Sequence, residues 1–433
     1  MHELDTALAL LGLVMLLLGA TSGLVKSRWY VSEPVLALAV GIVAGPCTGL
    51  LRVPPDAFGF LEQACRLTLA VAVLATALRL PAGFIWRRRR SVGVMIGLLM
   101  PGMWLVTSLL AYLIVGLSLP EAAVVGAVLT PTDPVIASSI LTGALAEENL
   151  PARLRHTLSA EAGANDALAS PLVLLPLIFV ADAGSSSLTS WCFDALVKGV
   201  VVGGVMGGLV GYATGRAVLW VRGRFESEPV SHLSVSLAMA ALLVGSLSLV
   251  GSNELWGVFV AGIAFRSVTH DAPELRAENI HQTLERMFLL PVFVLFGALL
   301  PYASWLKLGS LGLLFAVSVL LLRRLPLMLL LHRTAATIST PREARFAGWF
   351  GPIGIAALYY ATLIARRAER PELFALASLV VTGSVFAHGV SATWLVKRFG
   401  QRQPGSAQGP VRTNRGTRQA ETGSAPSRAS PFS

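Results

Sequence analysis

Two aspartates stand inside long apolar runs, in surroundings that suit an ion ligand. Asp133 lies in Leu129-Thr130-Pro131-Thr132-Asp133-Pro134. Proline has no backbone N–H, so Pro131 and Pro134 interrupt a helix there and leave carbonyls of the preceding turn without helical partners. Unpaired backbone at membrane depth is tolerated only around a cavity or within protein. Those carbonyls, the Thr132 hydroxyl and the Asp133 carboxylate are hard oxygens, the ligand type that suits a small alkali cation. Asp133 could also cap the helix half that follows, and the two roles are compatible. Asp166 lies in Ser159-Ala160-Glu161-Ala162-Gly163-Ala164-Asn165-Asp166, midway through its apolar run. Desolvation favours the neutral form of a carboxyl group, and a cation needs the ionised form. One such group serves two competing ligands, which is the least machinery that exchange requires. Asn165 adds a neutral donor and acceptor. Glu161 is five residues before Asp166, roughly 140° around the helix, and needs a partner of its own. His388 is the one histidine well inside a late apolar run and is a candidate for pH response.

The elements that must hold these residues are membrane helices. The chain has 433 residues, of which 54% are apolar and 13% charged. A soluble fold of that size could not hide so much apolar surface. Apolar stretches near 4–25, 33–51, 60–80, 91–116, 120–145, 154–181, 194–216, 230–250, 253–268, 280–300, 308–331, 345–365 and 372–397 predict thirteen helices. The fold class is therefore an all-α polytopic membrane protein. Two runs are interrupted, at Thr130-Pro131-Thr132-Asp133-Pro134 and at Gly351-Pro352-Ile353-Gly354. Paired interrupted segments are the pattern of inverted-repeat transporters with a midplane ion site.

The formal charge of +10 would suggest nucleic acid in a soluble chain. Here the positive residues sit between apolar runs and report topology instead, with no nucleic-acid partner expected. Lys26, Arg28, Arg87 to Arg90, Arg153, Arg155, Arg222, Arg224, Arg276, Arg333 and Arg342 fall on one side, with the tail. That places the N-terminus outside and the C-terminus in the cytoplasm. Arg366, Arg367 and Arg370 break the rule. Residues 399–433 are rich in Gly, Pro, Ser, Gln and Arg and read as a disordered basic tail. The acidic start Met1-His2-Glu3-Leu4-Asp5 and the long run after it read as a retained first helix, with no signal peptide. Cys47, Cys65 and Cys192 fit no metal site or disulfide framework, and no cofactor is expected. Gly199, Gly203, Gly207, Gly211 and Gly215 repeat every fourth residue, giving a face for close helix approach, either tight packing or a sliding surface.

The pairing of Thr-Asp-Pro in one run with Glu-Ala-Gly-Ala-Asn-Asp in the next resembles the bacterial sodium/proton antiporters of the monovalent cation/proton antiporter-1 family. Phe259-Val260-Ala261-Gly262, Glu285-Arg286 through Gly297, Gly348 to Pro352 and His388-Gly389 match in order over most of residues 5–398. The resemblance implies two inverted six-helix repeats joined by helix seven, the glycine-ladder helix at about 194–216. It implies a mobile core from about 91–181 and 308–397. Helices at about 4–80 and 230–300 would form a homodimer. It implies that Asp166, Asp133 and Thr132 bind the transported ion with Asn165 beside them, and an Asn-Asp pair is associated there with electroneutral exchange. The chain departs from that pattern at three places. Ala162 stands where the family has serine, and Ile353 where it often has the arginine that pairs with the glutamate matching Glu161. Leu74-Ala75-Thr76-Ala77-Leu78 lacks an acidic residue. Arg323 or Arg324 is the expected replacement partner for Glu161.

The function expected is exchange of Na+ or K+ for protons, with an elevator-type movement of the core. A K+-selective exchanger or another substrate on the same fold is the alternative, and an intramembrane aspartyl protease a distant one. The protease fits poorly because Asp133 is wedged between two prolines.

Overall fold

The computed structural model of the chain describes residues 2–24, 31–51, 57–180, 188–224, 232–269 and 278–401. Lys26, Arg28, Arg276 and all of the expected tail but its first residues lie outside them. Among the described residues every regular element is helical. In chain order these are α1 (His2–Leu24), α2 (Glu33–Cys47), α3 (Ala57–Arg79), α4 (Arg89–Val115), α5 (Leu119–Val128), α6 (Pro134–Leu141), α7 (Ala144–Asn149) and α8 (Ala152–Leu177). They continue with α9 (Leu188–Arg224), α10 (His232–Val250), α11 (Glu254–Val268), α12 (Glu278–Ala298), α13 (Tyr302–Leu331), α14 (Pro341–Trp349), α15 (Ile355–Arg367) and α16 (Pro371–Gln401). A single turn, Phe84–Arg87, precedes α4. Helices α3, α4, α9, α13 and α16 are each long and apolar enough to cross a membrane.

Local chemistry sets the ends. Ser118 and Glu121 form a capping box at the start of α5, with the Ser118 amide donating to Glu121 Oε2 at 3.2 Å. Thr340 accepts from the Glu343 amide at 3.2 Å and starts α14 with Pro341 in its first turn. The run expected at 120–145 is divided twice. It breaks at the prolines and again before Gly143, whose φ of 81° starts α7. Helix α9 extends beyond 194–216 at both ends. Its last turn carries Arg222 and Arg224, which suit a helix C-terminus and hide it from a hydropathy reading.

Two groups of helices pack within themselves. Helix α9 lies on α11, α12 on α2 and α3, α4 on α5, and α16 on both α13 and α15. The groups meet where α3 lies against α15 and α8. The glycine ladder faces α11 and leaves no gap. A Cβ on Gly207 would strike the backbone of Gly257, and one on Gly211 the backbone of Ala261. The ladder is thus a fixed close approach, with Val201, Val205 and Leu209 on the exposed side of the same helix. Gly211→Leu is expected to cost about 1–3 kcal/mol, because backbone cannot rotate away from an added side chain. Gly245→Leu, with nothing within 4 Å of its Cβ position, should stay within about 0.5 kcal/mol. Melting midpoints of the purified protein in detergent compare the two, and equal midpoints would contradict the packing argument.

The arginines that break the charge rule are partly neutralised in place. Arg366 pairs with Glu62 of α3 at 2.9 Å. Arg370 reaches Glu121 at 3.7 Å and Glu372 at 3.5 Å.

Candidate ion-binding site

The two interrupted segments cross. Residues 129–133 join α5 to α6 and residues 350–354 join α14 to α15, and the Asp133 amide donates to Pro352 O at 2.8 Å. Four helix ends therefore converge, two N-terminal and two C-terminal. Asp133, fully buried, serves both N-terminal ends: its Oδ1 accepts from the Ile136 amide at 3.2 Å and its Oδ2 from the Ile355 amide at 2.6 Å. A negative group there opposes the positive ends of α6 and α15. Gly354 makes the contact feasible, since a Cβ on it would overlap the Asp133 carboxylate. Arg323 serves both C-terminal ends. Its Nη1 donates to Leu129 O, to Thr130 O at 2.9 Å and to Pro131 O at 3.3 Å, and its Nη2 donates to Gly351 O.

This corrects the expected ligand set. The carbonyls freed by the prolines are not open to a cation, because the Arg323 guanidinium covers them. A fixed internal cation is the cheaper way to satisfy several converging carbonyls at membrane depth. Asp133 spends both oxygens on helix ends, so its capping role is the one the geometry displays. Thr132 and Asn165 are also engaged. The Thr132 amide donates to Asn165 Oδ1 at 3.2 Å, and Asn165 Nδ2 donates to Thr132 Oγ1 at 2.7 Å and to Glu161 Oε1 at 2.8 Å. Asn165 thereby straps α8 to the crossing.

Glu161 and Arg324 form a two-pronged pair, Nη1 to Oε1 at 2.8 Å and Nη2 to Oε2 at 2.9 Å, each side chain 2% exposed. The Arg324 Nε also donates to Ala347 O at 2.9 Å. Of the two candidate partners for Glu161, Arg324 makes the ion pair and Arg323 does not. The stem of Arg324 passes over Gly351, where any Cβ would collide with it.

Asp166 is different. It is fully buried on α8, and neither carboxylate oxygen has a hydrogen-bond partner. Among the described residues, the buried carboxylates Glu62, Glu161, Glu285 and Glu343 face Arg366, Arg324, Arg79 and Arg153. Asp133 has its helix ends; Asp166 has neither kind of partner. One turn further along α8, Ser170 lines a cavity of about 340 Å³ that Glu62, Arg66, Asn253, Glu254 and Tyr360 also wall. Glu62 and Arg66 lie in the first half of α3, about 25 Å and about 20 Å along the helix from its end at Arg79. Arg87 to Arg90 follow that end, so the cavity is on the opposite side from them.

His388 lies away from Asp166, at the other break. The Ile353 amide donates to Ser384 Oγ at 2.7 Å, that hydroxyl is 3.1 Å from His388 Nδ1, and His388 Nε2 is 2.9 Å from Trp349 O. His388 Nδ1 also lies 2.9 Å from Ser384 O, so the ring is held by its own helix on one side and by Trp349 O on the other. The residue pins the segment between α14 and α15.

A family model described as sodium/hydrogen exchanger, transmembrane, matches residues 12–398. The chain belongs to this family. A sodium/proton antiporter of Zygosaccharomyces rouxii is 30% identical over 369 residues, covering 82% of this chain and 45% of the relative. A probable sodium/proton antiporter of Schizosaccharomyces pombe is 30% identical over 383 residues, covering 84% and 49%. The chain thus spans about half the length of these two relatives. A solved sodium/proton antiporter of Methanocaldococcus jannaschii superposes with a TM-score of 0.72 at 19% identity, covering 92% of this chain and 99% of that one. The family and the apolar helices make this a multi-pass membrane protein. Membership in a family of exchangers also sets aside the protease reading.

Set beside the resemblance, Ile353 no longer leaves a charge unmet, because Arg324 supplies the guanidinium from α13. Ala162 and the stretch Leu74–Leu78 bring no carboxylate or hydroxyl in place of the missing ones except Thr76. The Thr76 hydroxyl accepts from Arg79 Nη2 at 3.1 Å, and Arg79 pairs with Glu285 at 2.8 Å. Sequence reasoning missed the cavity wall. Glu62 and Glu254 sit near helix starts, where charged residues are ordinary, and Asn253 occupies the short joint between α10 and α11; Arg66, well inside α3, was the signal that could have found the wall.

Proposed function

We propose that the protein exchanges a monovalent cation, Na+ or K+, for protons, one for one. The observation that carries this reading is Asp166, among the described residues the buried carboxylate without a partner. The crossing beside it holds two guanidinium groups, Arg323 and Arg324, and two carboxylates, Asp133 and Glu161. Those four charges balance. Asp166 adds one negative charge, which a single proton or a single monovalent cation cancels. With either bound, the core is neutral and can cross low dielectric; with neither, it carries an uncompensated charge that is costly there. That asymmetry couples the two ions and makes the exchange electroneutral.

The cation's shell is completed in part by water from the cavity at Ser170. The reading rests on the engaged oxygens of Asp133 and Thr132, and on alanine at position 162. The moving unit would be α4–α8 with α13–α16, against a homodimeric frame of α1–α3 and α10–α12. Helix α9, seated on α11, belongs to the frame and links the halves. The charge bias supports a cavity that opens to the outer face.

Proteoliposomes holding an imposed pH gradient test the reading, with a pH-sensitive dye and Na+, Li+ and K+ added in turn. Cation-dependent collapse of the gradient is expected, and the responding ion names the substrate. Folded protein that responds to none of the three between about pH 6 and pH 9 would refute exchange.

A further inference from the structure

Helix α8 has a defect one residue beyond Asp166. Pro171 lies inside the helix and has no N–H to give, so the carbonyl of Ala167, four residues before it, lacks its helical partner. Ala167 is fully buried, out of contact with bulk solvent. The donor comes from the other group of helices. Asn253 Nδ2 donates to Ala167 O at 2.7 Å. The same side chain caps α11, its Oδ1 accepting from the Trp256 amide at 3.1 Å.

The residues around Asn253 are fastened to α9. Ser252 Oγ donates to Lys198 O at 2.6 Å and Trp256 Nε1 to Val200 O at 3.0 Å. A Cβ on Gly203 would press on Asn253 O and Ser252 Oγ, so this corner and α9 are in close contact. Asn253 is therefore held from behind by α9 and α11, and its amide crosses to the helix that carries the exchanging carboxylate. Asn253 and Ser170 wall the same cavity.

We infer that Asn253 is a positioning residue for exchange: it grips α8 at the carbonyl that Pro171 frees beside Asp166, and so favours the arrangement in which the cavity side reaches Asp166. The inference rests on Asp166 as the exchanging group. A hydrogen bond made inside one rigid body would add stability and nothing else. One made between two bodies that move must break during the cycle, and its strength then sets how the protein divides its time between the two arrangements. Pro171 is what makes the grip selective. A carbonyl with a helical donor would have no need of Asn253, so Pro171→Ala should make Asn253 dispensable.

The experiment uses the full chain with Cys47→Ser and Cys192→Ser, since both native thiols are exposed. Ser170→Cys then reports access from the cavity side to a membrane-impermeant maleimide. Asn253→Ala should slow labelling of the introduced thiol and raise the apparent KM for the responding cation on that side. A change of about two- to tenfold matches the net worth of one hydrogen bond. With Pro171→Ala present, Asn253→Ala should change neither quantity further. Asn253→Asp keeps the cap acceptor and loses the donor, and should behave as Asn253→Ala does; it serves if the alanine variant folds poorly. A melting midpoint that falls while labelling and KM stay constant would overturn the proposal. So would an equal effect of Asn253→Ala with and without Pro171. Labelling needs no transport, so a protein that labels as expected but exchanges no cation would refute the exchange reading and leave the grip standing.

Discussion

Asp166→Asn should reduce cation-coupled proton flux to the level of empty vesicles while the protein remains folded. The substitution keeps size and shape and removes the single negative charge that a cation or a proton could cancel. Nothing else is lost with it. The Asp166 oxygens accept no hydrogen bond and face no arginine, so no partner is stranded. The melting midpoint should therefore stay within about 3 °C of the parent or rise, since a buried unpaired ionisable group is a liability to folding. Flux measured in reconstituted vesicles and midpoints measured in detergent must be read together. Retained flux would remove Asp166 from the mechanism. Lost flux with a large fall in midpoint would mean that the side chain has structural partners and that the site lies elsewhere.

Arg324→Met should be among the most destabilising single changes in the chain. It leaves Glu161 buried at 2% exposure with its charge unmet, a condition worth about 3–5 kcal/mol. Arg323 cannot stand in, because its N–H groups already serve four carbonyls. Arg324→Lys should recover only part of the loss: an ammonium cannot match both carboxylate oxygens and Ala347 O as the planar fork does. Adding Glu161→Gln to Arg324→Met should restore most of the stability, since the stranded charge is gone. Thermal unfolding of the three variants decides the matter. If Arg324→Met alone melts with the parent, the ion pair does not hold the crossing together.

The residues of the site were legible in the sequence, and their partners mostly were not. Asp133 and Asp166 stand out because charge inside apolar runs is rare, and the prolines around Asp133 mark the break on their own. Asp133's local cap, from Ile136 three positions on, could be anticipated. Its second cap comes from Ile355, 222 positions away, and depends on how the two breaks cross. The same holds for Glu161. Elimination among buried cations leads to the pair Arg323 and Arg324, but adjacent residues in a helix point about 100° apart, and only the packing of α13 decides which one turns to α8. The freed carbonyls show the sharper limit. Sequence locates them correctly and misassigns what fills them, because a guanidinium from α13 competes for the same oxygens that a cation would use. Asn253 had a signal in principle: Pro171 announces an unmet carbonyl at Ala167. What meets it lies 86 positions later, in a joint whose composition is ordinary.

The layout of Asp133 and Arg323 has a consequence for how ions compete. One anion shared by two helix starts, with one cation shared by two helix stops, forms a compact multipole. Its field decays with distance much faster than that of a net charge. On the proposed reading, an ion that passes the Glu62 and Glu254 carboxylates of the cavity wall then meets one unpartnered carboxylate, Asp166. The transported cation and the proton would then draw on one saturable titre, and acidification would not be met by recruiting a second group. On the acid side of that titration, each pH unit should raise the cation concentration needed for half-saturation about tenfold and no more.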